Sequence, residues 1–286
     1  MGGVGAALAR PRAGQGSPNP TQTPSYGQEH DVYRFFVPPE SLQRDPVVLT
    51  GQPAHRIGRV LRMQPGDHVL LLDNSGWAYE TELTGFGADQ VEGHVERKVL
   101  ASGEPRAKIT LYQAMLKGHG FETVLEKCTE VGVVEFVPLL CERCVVGSLM
   151  DVEGHRQERW ERIVRGAAEQ SRRGRLPRLA PVTMWPVACQ RAQRSDVSVL
   201  PWEEAKGPAL RNVLEGQAAG DGGAKHARPY SISVLIGPEG GLTPEEAQMA
   251  ESSGIQVVTL GPRILRAETA GLVVAAAILY ALGDLE

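Results

Sequence analysis

The sequence predicts an α/β protein: a mostly parallel sheet with helices on its faces, preceded by a small all-β domain. Two patterns predict this. After Lys108, short apolar runs alternate with segments of helical spacing, the rhythm of βαβ units. Over residues 31–100, short alternating runs are separated by tight turns, the pattern of a small barrel. With 42% of its 286 residues hydrophobic, the chain can build a core for both parts.

Taken in order, residues 1–30 are rich in Gly, Pro, Gln, Ala and Ser without periodicity and read as a disordered tail. "YRFFVPPE" is a short aromatic strand closed by prolines. "AHRIGRVLRMQPGD" reads as a helix with Ile57, Val60 and Leu61 on its apolar face, ended by Pro65-Gly66. "HVLLLDNSGWAYETEL" is a hairpin around Asp73-Asn74-Ser75-Gly76, and "QVEGHVERKVL" a further strand. These place a β-barrel domain over 31–101, a linker at "SGEPR", and a second domain over 107–286.

In the second part "KITLYQAML" is a buried strand. "FETVLEKCTEVGV" puts Phe121, Leu125, Cys128 and Val131 at helical spacing. "VEFVPLL" returns to a strand, and "HRQERWERIVRGAAEQSRR" is a long Arg-rich helix. "VSVLPWEEA", "SISVLIG" and "GIQVVTLG" are three more strands. "AETAGLVVAAAILYALG" is a helix apolar nearly all round, which must be buried on several sides or face another subunit.

Bulk properties narrow the classes. The net charge of −4 excludes a globally basic nucleic-acid coat, though not a local patch. The cations are mostly arginine, 24 against six lysines, the better bidentate partner for phosphate and carboxylate. The four cysteines form no disulfide framework in a chain this long. No charged n-region followed by an apolar h-region opens the chain, and the longest apolar run, 272–282, is too short to span a bilayer. A soluble cytoplasmic protein is the expectation.

Four stretches carry chemistry. "SVLIGPEGGLTPEE" ends a strand in a Gly-rich turn. Gly237, Gly240 and Gly241 permit positive φ and close backbone approach, while Thr243, Pro244 and Glu246 spell an N-cap, N1 and N3 capping box. Read alone it suits a plain strand-to-helix turn, the commoner role of such Gly-rich loops, with a ligand loop as the alternative, and it is neither a P-loop nor a dinucleotide fingerprint. "LGPRILRAETA" follows another strand, with Arg263 and Arg266 bracketing Ile264-Leu265, and Glu268 and Thr269 in a first helical turn. "CERC" at 141–144 is a lone pair of cysteines without the second pair or His spacing of a zinc site. Past Glu169, the arginines 172, 173, 175 and 178 form a local basic cluster of the kind that holds a nucleic-acid backbone.

Together "YRFFV", "HRIGRVLRMQPGD", "LEKCTEVGV", "VPLLCERC", "AAEQSRR", "LIGPEGGLTPEE" and "LGPRILRAETA" resemble the RsmE family of bacterial methyltransferases, in the SPOUT superfamily. The resemblance runs from Tyr33 to the C-terminus, and its most specific pieces are the last two. It implies a PUA-like β-barrel followed by a SPOUT domain with a trefoil knot, and a homodimer; the lone cysteine pair and the short apolar run give no metal and no membrane as the expectation. It implies methylation of uridine N3 in 16S ribosomal RNA of the small ribosomal subunit, with S-adenosylmethionine as donor. The implied cofactor residues are Ile236, Gly237, Pro238, Glu239, Gly240 and Gly241 in the first loop. In the second they are Leu260, Gly261, Ile264, Leu265, Arg266 and Thr269. Arg266, Arg143 and Arg172 are the arginines expected to stabilise charge on the base, and Glu268 or Glu239 the carboxylate expected to take its proton. Arg34, Arg59, Arg62, Arg173 and Arg175 are expected RNA contacts. Two other readings stay open: 2′-O-ribose methylation on the same fold, and a non-catalytic RNA-binding assembly factor.

Overall fold

A computed structural model describes residues 32–145, 155–218 and 231–285. The tail expected over residues 1–30 lies outside the described residues. The first sheet comprises β1 (Tyr33–Phe36), β2 (Val47–Thr50), β3 (His68–Leu72), β4 (Trp77–Phe86) and β5 (Gln90–Leu100) in the order β1-β3-β4-β5-β2. The β3–β4 hairpin turns at Asn74, whose φ of 62° an asparagine tolerates. All five strands contribute to one cluster around Phe35, Val47, Leu71, Leu83 and Val91, so the sheet curls about its own core.

The segment from Ala54 to Gly66 differs from the single helix expected. It is a short α-helix, α1 (Gly51–His55), running into a π-helical turn (Arg56–Val60) that ends at Arg62, with φ 54°. Ile57 fills the curled core, but the wider turn rotates Val60 out to 61% exposure. Strand β2 was not anticipated; "VVLT" is short and follows a proline-rich stretch.

The second sheet has seven strands, all paired in parallel: β12-β10-β11-β6-β7-β8, with β9 also on β7. They are β6 (Lys108–Ala114), β7 (Glu135–Leu140), β8 (Arg178–Leu179), β9 (Thr183–Met184), β10 (Val197–Pro201), β11 (Ser231–Ile236) and β12 (Gln256–Val258). Among the described residues six helices cover its faces: α2 (Gly120–Val131), α3 (His155–Gln170), α4 (Trp185–Ala192), α5 (Leu210–Ala218), α6 (Pro244–Ser252) and α7 (Ala267–Ala281). The period of two sorts each strand. Ile109, Leu111, Val199 and Val234 pack with α2, α3, α5 and α7, while Tyr112, Ala114, Leu200 and Leu235 pack with α4 and α6.

Helix α7 buries Val274, Ala275, Ile278 and Leu279, each large aliphatic contributing about 1.5–3 kcal/mol. Its other face leaves Val273 at 40% and Tyr280 at 69% exposure.

Helix α3 and the turn after it join the two sheets. The Phe36 N–H donates to the Glu169 carboxylate at 3.2 Å, and Arg165 donates to the Phe36 carbonyl at 3.0 Å. Burial pushes the Glu169 carboxyl up, and the Phe36 N–H and the neighbouring Arg56 and Arg165 oppose that shift. Beyond α3, Glu104 accepts from Arg173 at 2.9 Å and from the N–H groups of Gly174 and Arg175, both at 3.1 Å.

Candidate functional site

Because β10 lies between β11 and β12, the segments leaving these three strands emerge side by side at the carboxyl edge of the sheet, the usual ligand position in α/β folds. A cavity of about 710 Å³ opens there, within the range of small-molecule sites. Residues 236–239, 241 and 242 line one wall and residues 259–268 another. Pro201, Trp202 and Glu203 form the wall between, and Lys117 and Gly120 the approach.

The first loop is built by close packing. Of its three glycines only Gly241 has positive φ, 71°. Gly237 and Gly240 were expected to serve the same purpose; they are small for lack of room instead. A Cβ on Gly237 would meet Leu242 at 2.9 Å, and one on Gly240 would meet Arg143 at 3.3 Å. Thr243 and Glu246 form the capping box at the start of α6. The second Glu246 oxygen accepts the Glu142 N–H at 2.8 Å, and the Glu246 carbonyl accepts from the Trp185 indole at 3.0 Å. Arg143 donates to the carbonyls of Gly240 at 3.2 Å and Leu242 at 3.3 Å. Glu239 lines the cavity and accepts the Lys117 N–H at 2.8 Å, bracing the loop.

In the second loop Gly261 has φ 98°. Leu260, Ile264 and Leu265 line the cavity, Ile264 at 86% exposure. Arg266 precedes α7, its side chain 86% exposed, with Nη1 3.9 Å from the Glu268 carboxylate. Thr269 donates its N–H to the Arg266 carbonyl at 2.9 Å; neither it nor Gly240 lines the cavity.

The remaining expected residues are scattered. Arg172, with φ 62°, has its carbonyl bonded by Arg34 at 3.0 Å, on the seam between the sheets and off the cavity lining. Arg59, on the π-helical turn, is 68% exposed and 3.8 Å from Asp89. Arg62 is exposed on the same edge. Arg175 is exposed and donates to the Ser75 carbonyl. Arg173 corrects the expectation. It is only 2% exposed, and its guanidinium bonds Glu104 and the carbonyls of Thr129 and Val133, so it is a buried brace with no surface to offer RNA.

At "CERC" the Cys141 N–H donates to the Cys144 sulfur at 3.3 Å. The hydrogen-bonded Cys141 thiol holds Cys144 down to about 7, while that same bond and burial push Cys141 up. Among the described residues no group of three His, Cys, Asp or Glu side chains is arranged to hold a metal ion. Trp202, Glu203 and Lys117 were not anticipated as site residues. No local signal marks "PWEEA"; only the place of β10 in the strand order does.

Two family models match. One, described as an RNA methyltransferase domain, covers residues 103–279; the other, an RNA methyltransferase PUA domain, covers 49–96. The ribosomal RNA small subunit methyltransferase E of Synechocystis is 36% identical over 91% of this chain and 81% of its own length. That of Bacillus subtilis is 33% identical over 87% of this chain and 96% of its own. The crystal structure of the Neisseria gonorrhoeae protein of that name, bound to S-adenosyl methionine, superposes with a TM-score of 0.72 at 29% identity. It covers 87% of this chain and 98% of that one.

Proposed function

Because this chain belongs to the ribosomal RNA small subunit methyltransferase E family, we propose that it methylates N3 of a uridine in 16S ribosomal RNA, with S-adenosylmethionine as donor. The observation that carries the reading is the convergence of residues 236–242 and 259–268 on one cavity.

The residues present suit this donor. Backbone groups of the two loops and the apolar side chains of Leu260 and Leu265 match an adenosine, and the carboxylates of Glu203, Glu239 and Glu268 match a molecule with positive centres. The donor supplies an already activated methyl group, so the chain's task is positioning and charge management. Uracil N3 must lose its proton before it can accept a methyl group, and charge then spreads onto the flanking carbonyl oxygens. Arg266, exposed at the cavity, stabilises that charge, and Glu268 beside it takes the proton. Arg143, bonded to the loop carbonyls, and Glu239, bonded to Lys117, hold the first loop in place. Since N3 lies on the Watson–Crick edge, the target base must be unpaired or splayed.

We assign residues 31–101 to RNA binding, with Arg34, Arg59 and Arg62 among the contacts, and 107–286 to methyl transfer and the trefoil knot, with Arg175 adding an RNA contact from that second domain. The exposed apolar stripe of α7 at Val273 and Tyr280 supports a homodimer. We place its work on ribosomal RNA in the cytoplasm; among the described residues no helix is long and apolar enough to cross a membrane.

The test is nucleoside mass spectrometry of 16S RNA and of small subunits lacking the modification, after incubation with the protein and S-adenosylmethionine. The expected product is 3-methyluridine. A 2′-O-methylated nucleoside would move the reaction to the ribose, and no methyl transfer to either substrate would overturn the reading.

A further inference from the structure

We infer that Glu203 forms the anionic wall of the cavity and meets a cationic centre of the methyl donor; this deepens, and rests on, the S-adenosylmethionine reading above. Glu203 follows β10, the strand between the two that carry the glycine-rich loops, so it stands between those loops. It is set against the first of them: a Cβ on Gly241 would lie 2.5 Å from the Glu203 carboxylate oxygen. The positive φ is what requires glycine at 241, and the free end of the Glu203 side chain rests against that position.

Three carboxylates line the cavity, and two are engaged: Glu239 with the Lys117 N–H, Glu268 with Arg266 at 3.9 Å. Glu203 has no hydrogen-bond or ion-pair partner among the described residues. Arg143 comes within 3.9 Å of the same Gly241 position, yet its Nη1 bonds the carbonyls of Gly240 and Leu242. Next to Glu203, the Trp202 indole nitrogen is buried without an acceptor among the described residues. A buried donor without an acceptor is costly and rare, and Trp202 and Glu203, consecutive in the chain, both line this wall. S-Adenosylmethionine carries two cationic centres, a sulfonium and an α-ammonium. Glu203 is exposed at the cavity, so its attraction for either centre is solvent-screened, about 1 kcal/mol at contact distance.

The test compares the whole protein with Glu203→Gln, which keeps the side chain's shape and removes its charge. Titration calorimetry measures the affinity of each for S-adenosylmethionine and for 5′-methylthioadenosine, which keeps the adenosine and sulfur but carries neither positive charge. The expected result is a loss of roughly fivefold to tenfold for S-adenosylmethionine with methylthioadenosine unchanged. An unchanged affinity for S-adenosylmethionine, or an equal loss for both ligands, would overturn the inference. Failure of the unsubstituted protein to bind S-adenosylmethionine would overturn the donor reading itself.

Discussion

Replacing Glu246 by alanine tests whether the cavity loop is held from below. Its carboxylate accepts the Thr243 N–H at 3.0 Å and the Glu142 N–H at 2.8 Å, joining the first residue of the α6 cap to the turn that carries Arg143. The Thr243 and Glu142 N–H groups each lose their acceptor, at about 1 kcal/mol or more apiece. The sum, about 2–3 kcal/mol, lowers the melting temperature by roughly 4–12 °C for a domain of this size. The neighbouring Glu245 is exposed, and Glu245→Ala changes stability by no more than about 0.5 kcal/mol. Because Arg143 bonds the Gly240 and Leu242 carbonyls from that same turn, Glu246→Ala also weakens S-adenosylmethionine binding, while Glu245→Ala does not. Circular dichroism melts and calorimetric titration of both variants decide the matter. If Glu246→Ala melts with Glu245→Ala and binds the donor equally well, the bracing argument is wrong.

Four further outcomes are expected. Gly241→Ala forces a side chain to φ 71°, at about 1–2 kcal/mol, and pushes the free end of Glu203 aside, so the melting temperature falls by roughly 2–8 °C and donor affinity drops, read by thermal melts and calorimetry. Arg266→Ala abolishes methyl transfer in a labelled-methyl assay yet leaves donor binding intact, since its guanidinium is exposed; loss of binding would place it in the donor's shell. Limiting iodoacetamide labels Cys144 first, with reactivity rising through about pH 7, because its folded value is lowered and the thiolate forms as pH passes it. Cys128, pushed up to about 12 by burial, stays unlabelled, and peptide mass spectrometry at several pH values reads both. Glu104→Ala leaves the buried Arg173 without its carboxylate and costs about 3–5 kcal/mol in urea unfolding, whereas Arg178→Ala, on an exposed arginine, costs less than about 1.

The strands and long helices were legible because periodicity is a local signal. Ile109 and Leu111 against Tyr112 and Ala114 alternate as a strand buried on both faces must, and Phe121, Leu125 and Cys128 share one helical face. The errors came where local pattern and tertiary packing part. Ile57, Val60 and Leu61 are all apolar, but the π-helical turn selects Ile57 for the core and leaves Val60 in water. Four arginines between 172 and 178 look like one basic patch. In the structure one is buried, one bonds the β3–β4 turn at Ser75, one pairs with Glu135, and the backbone of the other meets Arg34. Charge along a chain does not reveal which side chains a seam will consume.

The site was legible as two loops because each follows an apolar strand and carries glycine next to proline. What joins them is a property of the sheet. β11 and β12 are consecutive in sequence but separated in space by β10, which comes earlier in the chain. Any ligand spanning both loops must therefore cross the end of β10, and the residues found there, Trp202 and Glu203, become its third wall whatever their local sequence resembles. Strand order is decided by long-range pairing, which no window of neighbouring residues encodes. The left-handed turn at Gly241 is a local requirement, but the carboxylate set against it, 38 positions earlier, arrives there only through the strand order.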